Sequence, residues 1–138
     1  MATLSFKVGG TEHEFALIEV VGDRGDGWLP ARVTVKAGVF SGQYTCDLDG
    51  GAFSRFASEL RELHRTLKGT AEFSSYEEQI ELSLVGDGLG HVAVKGEAMD
   101  IAGTGNMLRF HLEIDQTELQ PLLRDLEAIA ARHPARVA

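Results

Sequence analysis

The side chains best suited to chemistry in this chain are its histidines, because imidazole titrates near neutral pH and is the commonest ligand of transition metals. His91 and His111 stand in two late stretches where apolar and polar residues alternate. A hairpin around Ala102 would put both imidazoles on one face and nearly opposite each other, with Glu97 and Glu113 close by. Two imidazoles and a carboxylate could hold zinc or iron. A metal site is therefore one hypothesis for this face, and a solvated sheet surface is the other.

Other reactive groups lack the neighbours that catalysis needs. Cys46 is the only cysteine, and the adjacent Asp47 would raise its pKa, whereas a nucleophile needs a lowered one. We predict a buried core cysteine. The glycine-rich segments 22–27 and 86–90 carry aspartates and no lysine, which suits turns and not a phosphate cradle. We predict no enzyme activity, no catalytic residue and no cofactor.

Periodicity along the chain predicts the elements that position these groups. Alternation indicates strands, and apolar residues at helical spacing indicate two amphipathic helices. The strand candidates are 4–8, 13–21, 31–37, 39–48, 70–74, 79–85, 91–98 and 107–114, and the helix candidates are 51–67 and 117–133. Gly69 is predicted to end the first helix, and Thr117 with Gln120 is predicted to form a capping box at the second.

The two helices follow similar strands at an offset of 66 residues, with Asp49 matching Asp115 and Leu60 matching Leu126. We predict one domain over residues 1–138 with an α+β fold. Its core element is a largely antiparallel β-sheet of about eight strands with two helices on one face. Residues 1–69 and 70–138 would be two similar ββββα halves, and a true duplication and a chance likeness both stay open.

Alternation also assigns the two faces of the second half. The side chains predicted to face the helices are Ile80, Leu82, Leu84, Val92, Val94, Leu108, Phe110 and Leu112. Those predicted to face away are Gln79, Glu81, Ser83, His91, Ala93, Lys95, Glu97, Arg109, His111 and Glu113. Trp28 follows a flexible loop outside any apolar stripe, so it is either an exposed anchor for a partner or a plug over one end of the core.

Charge is shared unevenly along the chain, whose net charge is −8. Residues 1–69 hold eight Lys/Arg and nine Asp/Glu, and residues 70–138 hold five and twelve. The second half is therefore acidic, which disfavours binding to nucleic acid or to an anionic membrane and suits a basic protein partner. Solubility alone would also explain an acidic surface. No stretch is long and apolar enough to span a bilayer, and we expect a cytoplasmic protein.

Two segments of the second half, Asp87 to Val94 and Leu108 to Leu119, carry a resemblance to a known family. They contain Gly-His-Val at the start of a strand and Asp-Gln-Thr-Glu-Leu at the start of the last helix. With these motifs the chain resembles the WapI-type immunity family from about Leu29 through Leu126. The resemblance implies a small bacterial protein that neutralises a cognate toxin domain by binding, and it supplies no catalytic residues.

An immunity protein with this charge distribution would bind a basic toxin through carboxylates in its acidic half. The residues we predict to contact the partner are Glu77, Glu78, Glu81, Asp87, Glu97 and Glu113. We expect a monomer or a homodimer with no metal. Two alternatives stay open: a protein that binds a small ligand or a metal on the polar sheet face, and a structural module whose sheet pairs with itself.

Overall fold

The computed structural model describes residues 4–135. In the described range the element order is ββββα followed by ββββα, so the predicted α+β class with two similar halves is confirmed. The first half comprises β1 Leu4–Val8, β2 Glu14–Val20, β3 Trp28–Ala37, β4 Phe40–Asp49 and α1 Gly50–Thr66. The second comprises β5 Lys68–Phe73, β6 Ile80–Asp87, β7 His91–Met99, β8 Met107–Asp115, the 3-10 turn Gln116–Glu118 and α2 Leu119–Arg132.

The strands form two antiparallel sheets of four, each ordered as in the chain. β4 and β5 do not pair, and α1, which lies between them in sequence, packs beside β5. In the same way α2 packs beside β1, and the two helices pack against each other. The helices therefore cover the β1 and β5 edges, and β4 and β8 are the other two edges of the sheets.

Both sheets bury one face in a shared hydrophobic core, as their alternation predicts. At its centre the rings of Phe6, Phe53, Phe56 and Phe73 pack with centroids 5.2–6.0 Å apart. Such contacts between aromatic edges and faces add to the stabilisation that burial provides. None of the helices within residues 4–135 is both long and apolar enough to cross a membrane.

The helix ends differ in detail from the predicted ones. α1 ends at Thr66, and Leu67 adopts the left-handed conformation (φ 63°) and donates its backbone N–H to Leu63 O at 2.7 Å. Gly69 lies in β5, so the prediction that it ends the helix was wrong. The predicted pairing of Thr117 with Gln120 was also wrong, because a 3-10 turn precedes α2 and moves the cap two residues earlier.

Asp115 is the residue that caps this turn. It accepts a hydrogen bond from the backbone N–H of Thr117 at 2.8 Å, while Glu118 accepts one from the backbone N–H of Asp115 at 3.1 Å. Asp49, which stands 66 residues earlier, is the N-cap residue of α1, but its side chain makes no capping hydrogen bond to the helix. It accepts instead from Tyr76 N at 3.1 Å and from Arg55 Nη2 at 3.3 Å. The two halves share a scaffold but differ in the bonds that hold it.

The predicted faces of the second sheet are largely confirmed. Seven of the eight residues assigned to the inner face are buried, and Leu108 is partly buried against the core. Gln79 is the exception on the other side, because it is 7% exposed and not solvated. Its Nε2 donates to the carbonyls of Met99 and Asp100 at 3.3 and 3.2 Å, so the amide closes the end of the β7–β8 hairpin.

Candidate partner-binding surface on the second sheet

The face of the second sheet that points away from the core is formed by alternate residues of β5 to β8. We call it the acidic face because six carboxylates project from it against three permanent cations. The carboxylates are those of Glu72, Glu81, Asp87, Glu97, Glu113 and Asp115, and the cations are Lys68, Lys95 and Arg109. The corresponding face of the first sheet balances Glu19, Asp47 and Asp49 with Lys7, Arg32 and Lys36. The surplus of negative charge is therefore local to one sheet.

Glu81 and Glu97 lie directly opposite each other on β6 and β7. Glu97 accepts a hydrogen bond from Arg109 Nε at 2.9 Å, and Glu81 accepts one from Ser74 Oγ at 2.8 Å. Arg109 is the only cation paired with either carboxylate among the described residues. Like charges at directly opposed positions destabilise a sheet, so the free protein retains an unfavourable pair here.

A second acidic group lies at the other end of the sheet around His91. Asp87 accepts hydrogen bonds from the backbone N–H groups of Leu89 and His91 at 2.7 and 3.1 Å. The bond from Leu89 contributes most to lowering the pKa of Asp87. Glu113 Oε1 lies 3.3 Å from His91 Nε2. Asp87 and Glu113, both predicted from the sequence, are thus brought together by one histidine.

The two acidic groups are separated along the sheet. Glu113 is paired with Ala93, four residues from Glu97 on β7, which corresponds to about 13 Å. Lys95 and His111, which are paired with each other, occupy the space between them. Glu77 and Glu78 are exposed in the loop before β6 and not on the sheet. The six predicted residues therefore form two groups and a loop pair, not one continuous patch.

A groove of about 580 Å³ runs across the middle of the acidic face. The polar side chains along it are Glu72, Glu81, Ser83, Lys95, Glu97, Arg109 and His111. Its floor includes Gly96, which sits opposite Phe110, and a Cβ atom at this position would lie 2.2 Å from the phenyl ring. Glu72 was not among the predicted residues, although the alternation of Thr70, Ala71, Glu72 and Phe73 could have placed it on this face.

The predicted histidine pair does not form. His91 is paired with Asp115 and His111 with Lys95, so the two imidazoles stand four residues apart, about 13 Å along the strands. The hairpin is centred on residue 103 and not on Ala102, which shifts the register by two residues. Within residues 4–135, no group of three or more His, Cys, Asp or Glu side chains could hold a metal ion.

Cys46 and Trp28, which the sequence analysis considered individually, both pack against other parts of the protein. Cys46 is a buried core residue, as predicted, and burial together with Asp47 raises its pKa to about 12. Trp28 is partly buried, and its ring lies 6.1 Å from that of Tyr76. Trp28 therefore supports the loop that follows β5.

Comparison with known proteins gives a family and a fold. The model of the immunity protein WapI-like family matches residues 2–134. A chain from crystal structures of Trypanosoma brucei MRP1/MRP2 superposes with a TM-score of 0.55 at 14% identity, over 96% of this chain and 86% of that chain. At this identity the likeness concerns the fold. No curated protein matches the sequence.

Proposed function

Because the chain belongs to the WapI-like immunity protein family, we propose that it neutralises a cognate bacterial toxin by binding it through the acidic face. The protein performs no reaction in this proposal. It covers the toxin's active site or a neighbouring surface and so keeps substrate away. We place this binding in the cytoplasm, where a lone buried thiol such as Cys46 is common.

The proposal depends mainly on one observation, which is that Glu81 and Glu97 are a directly opposed cross-strand pair. Two carboxylates at adjacent positions of neighbouring strands repel each other, and one arginine offsets only part of that repulsion. A lysine or arginine of the partner that enters the groove would sit between the two carboxylates and remove the remaining repulsion. The groove is therefore suited to a cationic side chain.

The negative charge of the acidic face should also raise the rate at which a basic toxin associates with the protein. A surface with a surplus of carboxylates attracts a positively charged partner over several ångströms and raises the association rate at low ionic strength. Lys95 and His111 separate the two acidic groups. A matching partner would carry its positive groups in two clusters, and this spacing supports specificity as well as speed.

The test replaces three carboxylates of the acidic face with amides: Glu81→Gln, Glu97→Gln and Glu113→Gln. The matched control is Glu62→Gln, Asp125→Asn and Glu127→Gln, which changes the net charge equally on exposed helix positions. The probe is the toxin domain encoded in the neighbouring reading frame. We expect the acidic-face variant to bind it at least about 10-fold more weakly and with a smaller dependence on salt. The control should bind like the wild type.

Two other outcomes would contradict the proposal at different levels. Equal losses in both triple variants would mean that total charge matters and the acidic face does not. If the wild-type protein neither binds the toxin domain nor protects cells that express it, the immunity role itself is wrong.

A further inference from the structure

β8 is an edge strand of the second sheet, and its backbone shows which groups are left for a partner. Gln116 N donates to Gly90 O at 2.7 Å, and Asp100 N donates to Asn106 O at 3.3 Å. Both pairs lie on the β7–β8 register. In an antiparallel pair the residues alternate between those bonded to the neighbour and those that point away. The even-numbered residues of β8 are therefore bonded to β7.

The odd-numbered residues of β8 point their backbone N–H and C=O groups away from β7. In the part of the chain that the structure describes, Glu118 occupies the outward N–H of Asp115. No hydrogen bond is found there for the outward N–H and C=O groups of Arg109, His111 and Glu113. Such a row is a template for an additional strand.

A cleft of about 470 Å³ lies beside this row. On one side are His111, Leu112 and Glu113. On the other are Gly10 and Thr11, in the turn between β1 and β2, and Glu14, the first residue of β2. Among the residues that the structure describes, the lining includes two carboxylates and no lysine or arginine. The cleft adjoins the groove of the acidic face, because His111 lines both. An extended segment of positive charge fits this chemistry.

The β4 edge provides an internal comparison. A cleft of about 430 Å³ lies beside Thr45, Cys46 and Asp47, which stand 66 residues before His111, Leu112 and Glu113. There Arg24 lines the cleft and forms an ion pair with Asp47 at 3.0 Å. A basic segment would have to compete with Arg24 for that carboxylate. Since helices cover β1 and β5, β8 is the sheet edge best suited to a basic strand.

We propose that an extended, basic segment of the toxin adds to β8 as a fifth strand of the second sheet, in the cleft that Gly10, Thr11 and Glu14 line on its other side. This inference rests on the proposed function. The backbone groups of Arg109, His111 and Glu113 bond to the added strand, and its lysine or arginine side chains contact Glu14 and Glu113. Backbone pairing provides affinity and the carboxylates provide preference for positive charge.

His111→Pro is the direct test. The N–H of His111 points outward, so proline at this edge position removes no bond to β7 but blocks an added strand. Thr45→Pro is the matched control, because it makes the same change at the equivalent outward position of β4. His111→Ala keeps the outward N–H and removes only the imidazole, so it should weaken binding much less than His111→Pro does. We expect His111→Pro to weaken binding to the toxin domain by roughly 100-fold, and Thr45→Pro to stay within about threefold of the wild type.

Amide hydrogen exchange provides a second readout on the wild-type complex, which does not depend on the stability of a proline variant. Binding should slow exchange at Arg109, His111 and Glu113, while Phe110 and Leu112 are already protected by β7. If the wild type binds the toxin but these amides are unaffected and His111→Pro binds equally well, strand addition is wrong and the proposed function stands. If the wild type does not bind, both fail.

Discussion

Gly96→Ala tests how closely β7 packs against the Phe110 ring beneath the groove of the acidic face. Gly96 lies between Leu82 and Phe110 on the core side of β7. An added Cβ would lie 2.2, 2.5 and 2.6 Å from three carbons of the Phe110 ring. Carbon atoms pack at about 3.5–4.0 Å, so the ring would have to move by more than about 1 Å. Phe110 is only 6% exposed and has little room to do so. We expect a loss of about 1–3 kcal/mol in the free energy of unfolding.

Gly42→Ala is the matched control, because it makes the same chemical change in a strand. Within residues 4–135, no atom lies within 4 Å of the position that a Cβ would take at Gly42. Alanine there restricts the unfolded chain at no steric cost, so we expect a gain of about 0.4–1 kcal/mol. Urea denaturation of both variants and the wild type measures the difference. The expected shifts of the unfolding midpoint therefore have opposite signs.

A double variant, Gly96→Ala with Phe110→Leu, separates the clash from other effects of the alanine. Removing the ring should make the combined loss smaller than the sum of the single losses by at least about 0.5 kcal/mol. The reasoning is refuted if Gly96→Ala unfolds at the wild-type urea concentration, or if Gly42→Ala is destabilised as much as Gly96→Ala.

Three further predictions concern single side chains. The Thr117 hydroxyl, and to a smaller extent the Thr117 backbone N–H, donate hydrogen bonds to Asp115 that lower its pKa from the ordinary value of 3.8. These bonds therefore stabilise the folded protein above the ordinary pKa of Asp115, and this stabilisation is lost as pH falls below it. Melting temperatures between about pH 5 and about pH 2 should therefore fall less for Asp115→Asn than for the wild type. Tyr44→Phe removes the hydroxyl that donates to Gln79 O and should cost about 1 kcal/mol in urea denaturation. Because burial raises the pKa of Cys46 to about 12, a thiol reagent at about pH 8 should label it only after denaturant is added.

The predicted fold agrees with the structure because its signals are local. Alternation at Val92, Val94, Phe110 and Leu112 reports which side chains must leave water, and this depends on the strand itself. The helical spacing of apolar residues is also a local pattern, so α1 and the segment 116–132 could both be predicted, together with the offset of 66 residues between them. The capping hydrogen bonds were harder to predict from the sequence, because Asp49 and Asp115 occupy equivalent positions and yet bond to different partners.

The candidate site was predicted only in part, for a physical reason. Shifting a hairpin by two residues leaves every side chain on its own face, so the sequence placed His91 and His111 correctly on the outer face but could not place them along it. The loop between Met99 and Met107 sets that register through its own bonds, including Asp100 Oδ1 with Asn106 N at 2.8 Å. The opposition of Glu81 and Glu97 depends on the register in the same way.

The sequence by itself determined the order of strands and helices, the two faces of the second sheet and the excess of negative charge in the second half. Each of these follows from the spacing of residue types along the chain. Only the tertiary structure decided that the strands divide into two sheets, that the carboxylates form two groups, and that Glu14 of the first half faces β8 of the second. These features depend on contacts between segments distant in sequence, which no local pattern encodes.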